Sequence, residues 1–117
     1  MNIDLTSTIA VDFDGTLYDD QPSHYGAPRI DVINKLIVLQ KKGVKLVLWT
    51  CREADKLADA IEWCKHYGLV FDAINEDLDE IKKKGYIKSP KPMVHWYLDD
   101  RAISIKDFLE STISEEK

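Results

Sequence analysis

Asp12, Asp14, Asp99 and Asp100 are the residues of this chain whose type and spacing best suit chemistry. Asp12 and Asp14 stand two apart in Asp12-Phe13-Asp14-Gly15-Thr16, and in an extended chain such residues share a face. A bend at Gly15 then aims the second carboxylate elsewhere. Asp99 and Asp100 close the apolar run Trp96-Tyr97-Leu98. Two like charges about 4 Å apart repel by about 4 kcal/mol at an effective dielectric near 20. Four carboxylates brought together therefore need a cation, or some must stay protonated. Hard oxygen donors with few His or Cys suit Mg²⁺, which one or two carboxylates hold together with waters and a substrate phosphate. Thr50 adds a hydroxyl and Lys91 an ammonium group. Singly, each has a plainer role: an Asp before Gly makes a turn, Asp-Asp before Arg caps a helix, Thr50 closes a turn. Their joint placement carries the argument.

The elements that must position them follow from hydrophobic periodicity. Ser7 to Asp12 reads as a buried strand through Ile9, Ala10 and Val11, and Phe13 to Pro28 as a loop rich in Asp, Gly and Pro. From Arg29 to Lys42 the residues Ile30, Ile33 and Ile37, with Val32, Leu36 and Leu39, form a wide helical stripe. Pro28 suits its first turn and Gly43 its C-terminal cap. Val44 to Thr50 is a second strand, Glu53 to Tyr67 a second helix stopped by Gly68, and Val70 to Ile74 a third strand. Asn75 is expected to cap a short helix with Leu78 and Ile81. Met93 to Leu98 is the fourth strand and Ile103 to Leu109 the last helix. This alternation implies an α/β fold, a doubly wound, Rossmann-like parallel sheet with helices on both faces, in one domain over residues 1–117. In such sheets ligands bind beyond the carboxyl ends of the strands, where strand order reverses. Asp12, Thr50, Asp99 and Asp100 fall at such ends, and Lys91 lies just before the last strand.

The whole chain bounds the partners. Its 117 residues are 44% hydrophobic, and 16 Lys+Arg against 21 Asp+Glu leave a net charge of −5. A chain of this size buries about two thirds of its surface and needs no disulfide or structural metal to fold. An acidic domain without a basic stripe disfavours nucleic acid and anionic membranes as partners. Met1 to Leu5 has no basic segment of a secretory signal, and the apolar runs are too short to span a membrane. Cys51 and Cys64 read as isolated thiols, which implies a reducing, cytoplasmic setting.

Ile9-Ala10-Val11-Asp12-Phe13-Asp14-Gly15-Thr16-Leu17 resembles the first motif of the haloacid dehalogenase (HAD) superfamily, mostly phosphatases. Leu46-Val47-Leu48-Trp49-Thr50 resembles the second, Lys91 fits the third, and Trp96-Tyr97-Leu98-Asp99-Asp100 the fourth. The ordered set spans residues 9 to 100. The resemblance implies a Mg²⁺-dependent phosphate monoester hydrolase. Asp12 would be its nucleophile, forming an aspartyl-phosphate, and Asp14 its general acid/base. Thr50 would bind a phosphoryl oxygen and Lys91 would neutralise charge. Asp99 and Asp100 would hold Mg²⁺ with the Asp12 carboxylate and the Asp14 backbone carbonyl. Gly15, Thr16, Cys51 and Arg52 line the same strand ends and are assigned to substrate binding, with a solvated arginine at the helix start as the equal alternative for Arg52. Phosphoryl transfer asks mainly for positioning and charge stabilisation, which these parts supply.

Larger family members carry a cap domain at one of two insertion points. Here Tyr18 to Pro28 and the stretch from Ile74 to Lys91 leave room for none. A capless site implies a large phosphorylated substrate or a second copy of the chain as cover; sugar phosphates, nucleotides and phosphorylated macromolecules all fit. Trp63, Tyr67 and Trp96 are large aromatics suited to a core or to such an interface. An EF-hand reading fails, because Leu17 and Ser23 stand where its Gly and Glu belong. The rival class is a phosphoacceptor receiver or a silent binding module. Receivers, however, carry their acid pair on the first strand. His24, His66 and His95 have no metal-ligand spacing, and Lys82 to Lys84 reads as a solvated face.

Overall fold

The computed structural model describes residues 3–21, 24–84, 94–100, 102 and 105–112. Its elements run β1 (Thr8–Val11), β2 (Tyr18–Gln21), β3 (His24–Pro28), α1 (Ile30–Lys41), β4 (Lys45–Leu48), α2 (Ala54–His66), β5 (Ala73–Ile74), α3 (Asp79–Lys82), β6 (Trp96–Leu98) and α4 (Ile105–Glu110). All four residues of β1 are buried, as a central strand covered on both faces requires. It pairs in parallel with β4 on one side and β6 on the other, Ile9 lying opposite both Leu46 and Trp96. β5 extends the sheet beyond β4, giving the order β5-β4-β1-β6. The chain moves outward from β1 through β4 to β5, then returns to the far side of β1. Strand order thus reverses between β1 and β6, beside Asp12.

Ile33 and Leu36 of α1, with Ala60 and Cys64 of α2, join Ile9, Val11, Leu46 and Leu48 in one buried cluster. Both helices cover the same face, because both crossovers advance the sheet in one direction and such connections are right-handed. Ala10 and Val47, whose side chains alternate to the other face of the sheet, are buried as well. Leu46, Leu48 and Ile33 are at most 1% exposed, and each such side chain contributes about 1.5–3 kcal/mol through burial. The sheet is α/β and parallel, as the alternation predicts. Among the described residues no helix is long and apolar enough to cross a membrane.

Several elements depart from the sequence reading, for local reasons. The segment read as a loop from Phe13 to Pro28 holds the antiparallel hairpin β2–β3. Pro28 does not open α1; it pairs with Tyr18 in that hairpin, and Arg29 takes the N-cap position. A Cβ on Gly26 would collide with the Asp19 carbonyl, so the two strands close only around glycine. The third strand shrinks to two residues because the Asp72 side chain intercepts its partner: Leu46 N–H donates to Asp72 Oδ2 at 2.7 Å. Asn75 does not cap α3, whose N-cap is Leu78 without a side-chain bond. Lys91, Met93 and Ile103 lie outside the described residues.

Candidate active site

The β1–β6 ladder runs one step past β1. Asp12 N–H donates to the Leu98 carbonyl at 3.0 Å, and on the other side Trp49 N–H donates to the Val11 carbonyl at 2.9 Å. This register sets Asp12 beside Asp99, the residue after Leu98. One carboxylate oxygen from each of Asp12, Asp99 and Asp100 lies within 4.8 Å of the other two. Asp12 and Asp99 are half-buried and Asp100 is exposed. Burial, then the charges of Asp99 and Asp100, push Asp12 up to about 6 against the pull of a Phe13 backbone hydrogen bond. Such a cluster of hard, mutually repelling oxygen donors at a strand switch point could hold a metal ion.

Gly15 makes that proximity possible. Its φ of +79° is a left-handed conformation that disfavours any side chain. A Cβ there would also run into the Asp100 carboxylate, lying 3.0 Å from Cγ and closer still to Oδ2. Thr16, 7% exposed, donates from Oγ1 to Asp12 Oδ2 at 3.4 Å. The sequence reading placed Gly15 and Thr16 against substrate; here one admits Asp100 and the other steadies Asp12.

Asp14 stands apart from the acidic trio. Its carboxylate is held by Arg52, with Nε 3.2 Å from Oδ1 and 3.0 Å from Oδ2, and Nη2 2.7 Å from Oδ1. The Tyr18 hydroxyl donates to the same Oδ1. Arg52, foremost, and then Tyr18 hold Asp14 below the usual carboxylate range. Burial and the bond to Asp14 in turn push the Tyr18 hydroxyl up to about 12. The Arg52 guanidinium lies over the Phe13 ring at 4.8 Å, and its side chain is only 16% exposed. Behind it Phe13 packs on Trp63 at 5.3 Å and on Tyr18 at 5.2 Å, and Trp63 on Tyr67 at 4.6 Å. An aromatic wall thus backs the ion pair. Trp63 and Tyr67 belong to the core margin, whereas Trp96 is 45% exposed.

Thr50 is fixed from β5. Its N–H donates to Asn75 Oδ1 at 2.7 Å, with Asn75 at φ +53° and its own N–H on the Leu48 carbonyl at 2.7 Å. The Thr50 hydroxyl accepts the Arg52 N–H at 3.2 Å. This tight turn sends Arg52 back toward Asp14 and leaves Cys51 exposed.

No family model matches the chain, and no curated protein sequence matches it. A solved structure does match: that of a conserved protein coded by a locus from Bacteroides thetaiotaomicron, 38% identical, with a TM-score of 0.72. The match covers 84% of this chain and 78% of that one. The chain belongs to that conserved protein's family. The match gives this family an α/β fold with helices flanking a parallel sheet, and within it the present chain carries the strand-end acids just described.

Two residues of this family member's site, Tyr18 and Asn75, and one away from it, Asp72, took roles that escaped the sequence reading. Tyr18 was legible in principle. Leu17 N–H donates to the Phe13 carbonyl at 3.1 Å, one helix-like turn, and such a turn stacks residues four apart, here Asp14 and Tyr18. Asn75 and Asp72 act through side chains that replace backbone partners, a role with no periodic signature. Lys91 lies outside the described residues.

Proposed function

We propose that this chain is a Mg²⁺-dependent phosphate monoester hydrolase of the HAD type, without a cap domain. The observation that carries the reading is the trio Asp12, Asp99 and Asp100, gathered within 4.8 Å at the ends of two neighbouring parallel strands. In this reading those carboxylates and the Asp14 backbone carbonyl hold the ion. When bound, Mg²⁺ supplies charge neutralisation for a phosphate dianion that the acids alone would repel.

The remaining chemistry belongs to the protein. An Asp12 carboxylate oxygen attacks phosphorus and the bond to the leaving alkoxide breaks, giving an aspartyl-phosphate. Asp14, ionised beside Arg52 in the free protein, takes up a proton as the ester binds and passes it to the leaving alkoxide oxygen, then takes one from the water that attacks the same phosphorus and frees Asp12. Phosphate and an alcohol are the products. The Thr50 N–H is held by Asn75, which supports Thr50 as a phosphoryl contact on a rigid turn; Lys91 completes the assignment as a counter-charge. The substrate is a phosphorylated small molecule or macromolecule. The free thiols Cys51 and Cys64 support a reducing, cytoplasmic setting.

The test is phosphate release from a panel of phosphate esters. Turnover should require Mg²⁺, vanish in EDTA and return when Mg²⁺ is restored. Full activity in chelator refutes the metal assignment, and no release from any ester refutes the reading as a whole.

A further inference from the structure

The sequence assigns Arg52 to substrate, yet the structure commits its guanidinium elsewhere. Two of its nitrogens make three contacts of 2.7–3.2 Å with Asp14. Nη1 reaches the Lys56 carbonyl at 3.4 Å, Nη2 the Tyr18 hydroxyl at 3.5 Å, and the plane rests over Phe13. Such a fork is a rigid, planar match to one carboxylate, which a lysine cannot reproduce. Tyr18 adds a hydrogen bond from another direction, and its ring is 3% exposed, packed on Phe13 and Trp63. Asp14 is thereby fixed from the β4–α2 turn and from the start of the hairpin at once.

We infer that Arg52 and Tyr18 are positioning residues that act through Asp14, setting where its carboxylate stands for proton transfer, and that Arg52 is not a substrate-binding group. The inference rests on the hydrolase reading above. Its physical basis is that general acid–base catalysis needs the transferring oxygen within hydrogen-bond reach of the reacting atom. An Asp side chain otherwise samples several rotamers. A clamp that fixes one of them contributes in the transition state and leaves ground-state binding of the phosphate unchanged.

The test is a double-mutant cycle between Arg52→Ala and Asp14→Asn, read as kcat and KM with a poor leaving group, on variants shown by thermal melting to fold. Arg52→Ala alone should lower kcat by about 10–10²-fold, a part of the roughly 10²–10⁴-fold that acid–base help supplies, and move KM by less than about twofold. In the Asp14→Asn background the same change should cost less than about twofold, because residues that act as a unit are not additive. Arg52→Lys should recover little, and the loss should shrink with p-nitrophenyl phosphate, whose leaving group hardly needs a proton. Tyr18→Phe provides a second cycle that keeps the ring and removes only the hydroxyl. A rise in KM of about tenfold at unchanged kcat, or equal losses in both Asp14 backgrounds, overturns the clamp while the hydrolase reading stands. A wild-type chain without Mg²⁺-dependent turnover overturns both.

Discussion

Asp12→Asn should stabilise the metal-free protein while abolishing its chemistry. Asp12 ionises near its ordinary 3.8 in the unfolded chain and at about 6 when folded. The folded state therefore holds its proton more tightly, and stability falls as pH rises from 3.8 through 6. Above 6 the penalty is fully present; below 3.8 it is absent. Its ceiling is (6 − 3.8) × 1.36, or about 3 kcal/mol. Asp12 is only half-buried, so solvent screening reduces this to about 1–2 kcal/mol. Asparagine keeps the shape and loses the charge. At pH 7.5 in EDTA the variant should melt about 4–8 °C above wild type, at roughly 4 °C per kcal/mol for a chain of this size. The gap should narrow steadily at pH 6, 5 and 4. Saturating Mg²⁺ should reverse the order, because wild type gains binding energy that the variant lacks. A variant no more stable than wild type at pH 7.5, or a gap that does not change with pH, would refute the claim that repulsion and burial at Asp12 cost the fold stability.

Gly15→Ala should cost about 1–3 kcal/mol through its left-handed backbone and, by displacing Asp100, weaken Mg²⁺ binding measured calorimetrically. Asp72→Ala leaves the buried Leu46 N–H without its acceptor and should lower stability by about 1–3 kcal/mol in denaturant titrations. Asp14→Asn should be slow rather than dead, losing about 10²–10⁴-fold with alkyl phosphates and much less with p-nitrophenyl phosphate. Sedimentation at micromolar concentration tests whether a second copy covers the open site; monomer alone argues for a large substrate instead.

The legible part of this molecule is what periodicity and strand ends control. Ile9 to Val11 and Leu46 to Leu48 announce buried strands, and the strand-end rule brings Asp12 together with Asp99 and Asp100 from opposite ends of the sequence. The hairpin was not legible because its strands, Tyr18–Gln21 and His24–Pro28, lack apolar alternation; backbone pairing and the bare Cα of Gly26 hold them. Arg52 was legible as a charge near the site but not as a partner of Asp14. Its direction is set by a turn whose shape depends on Asn75, twenty-three residues further along. Side chains that stand in for backbone groups, such as Asp72, carry no pattern to read.

The register of β6 against β1 also has a consequence for synthesis. Asp12 leaves the ribosome well before β6, and β1, α1, β4 and α2 carry Ile9, Leu36, Leu46 and Cys64 of one buried cluster. The acidic trio cannot exist until Asp100 has emerged, roughly 4–18 s later at 5–20 residues per second. Closing that long loop sets Leu98 on Asp12 and, in the same step, presses three like charges together. Sheet completion and site assembly are thus one late event. A nascent or prematurely ended chain pairs β1 with β4 but lacks the acidic trio, which forms only when β6 docks.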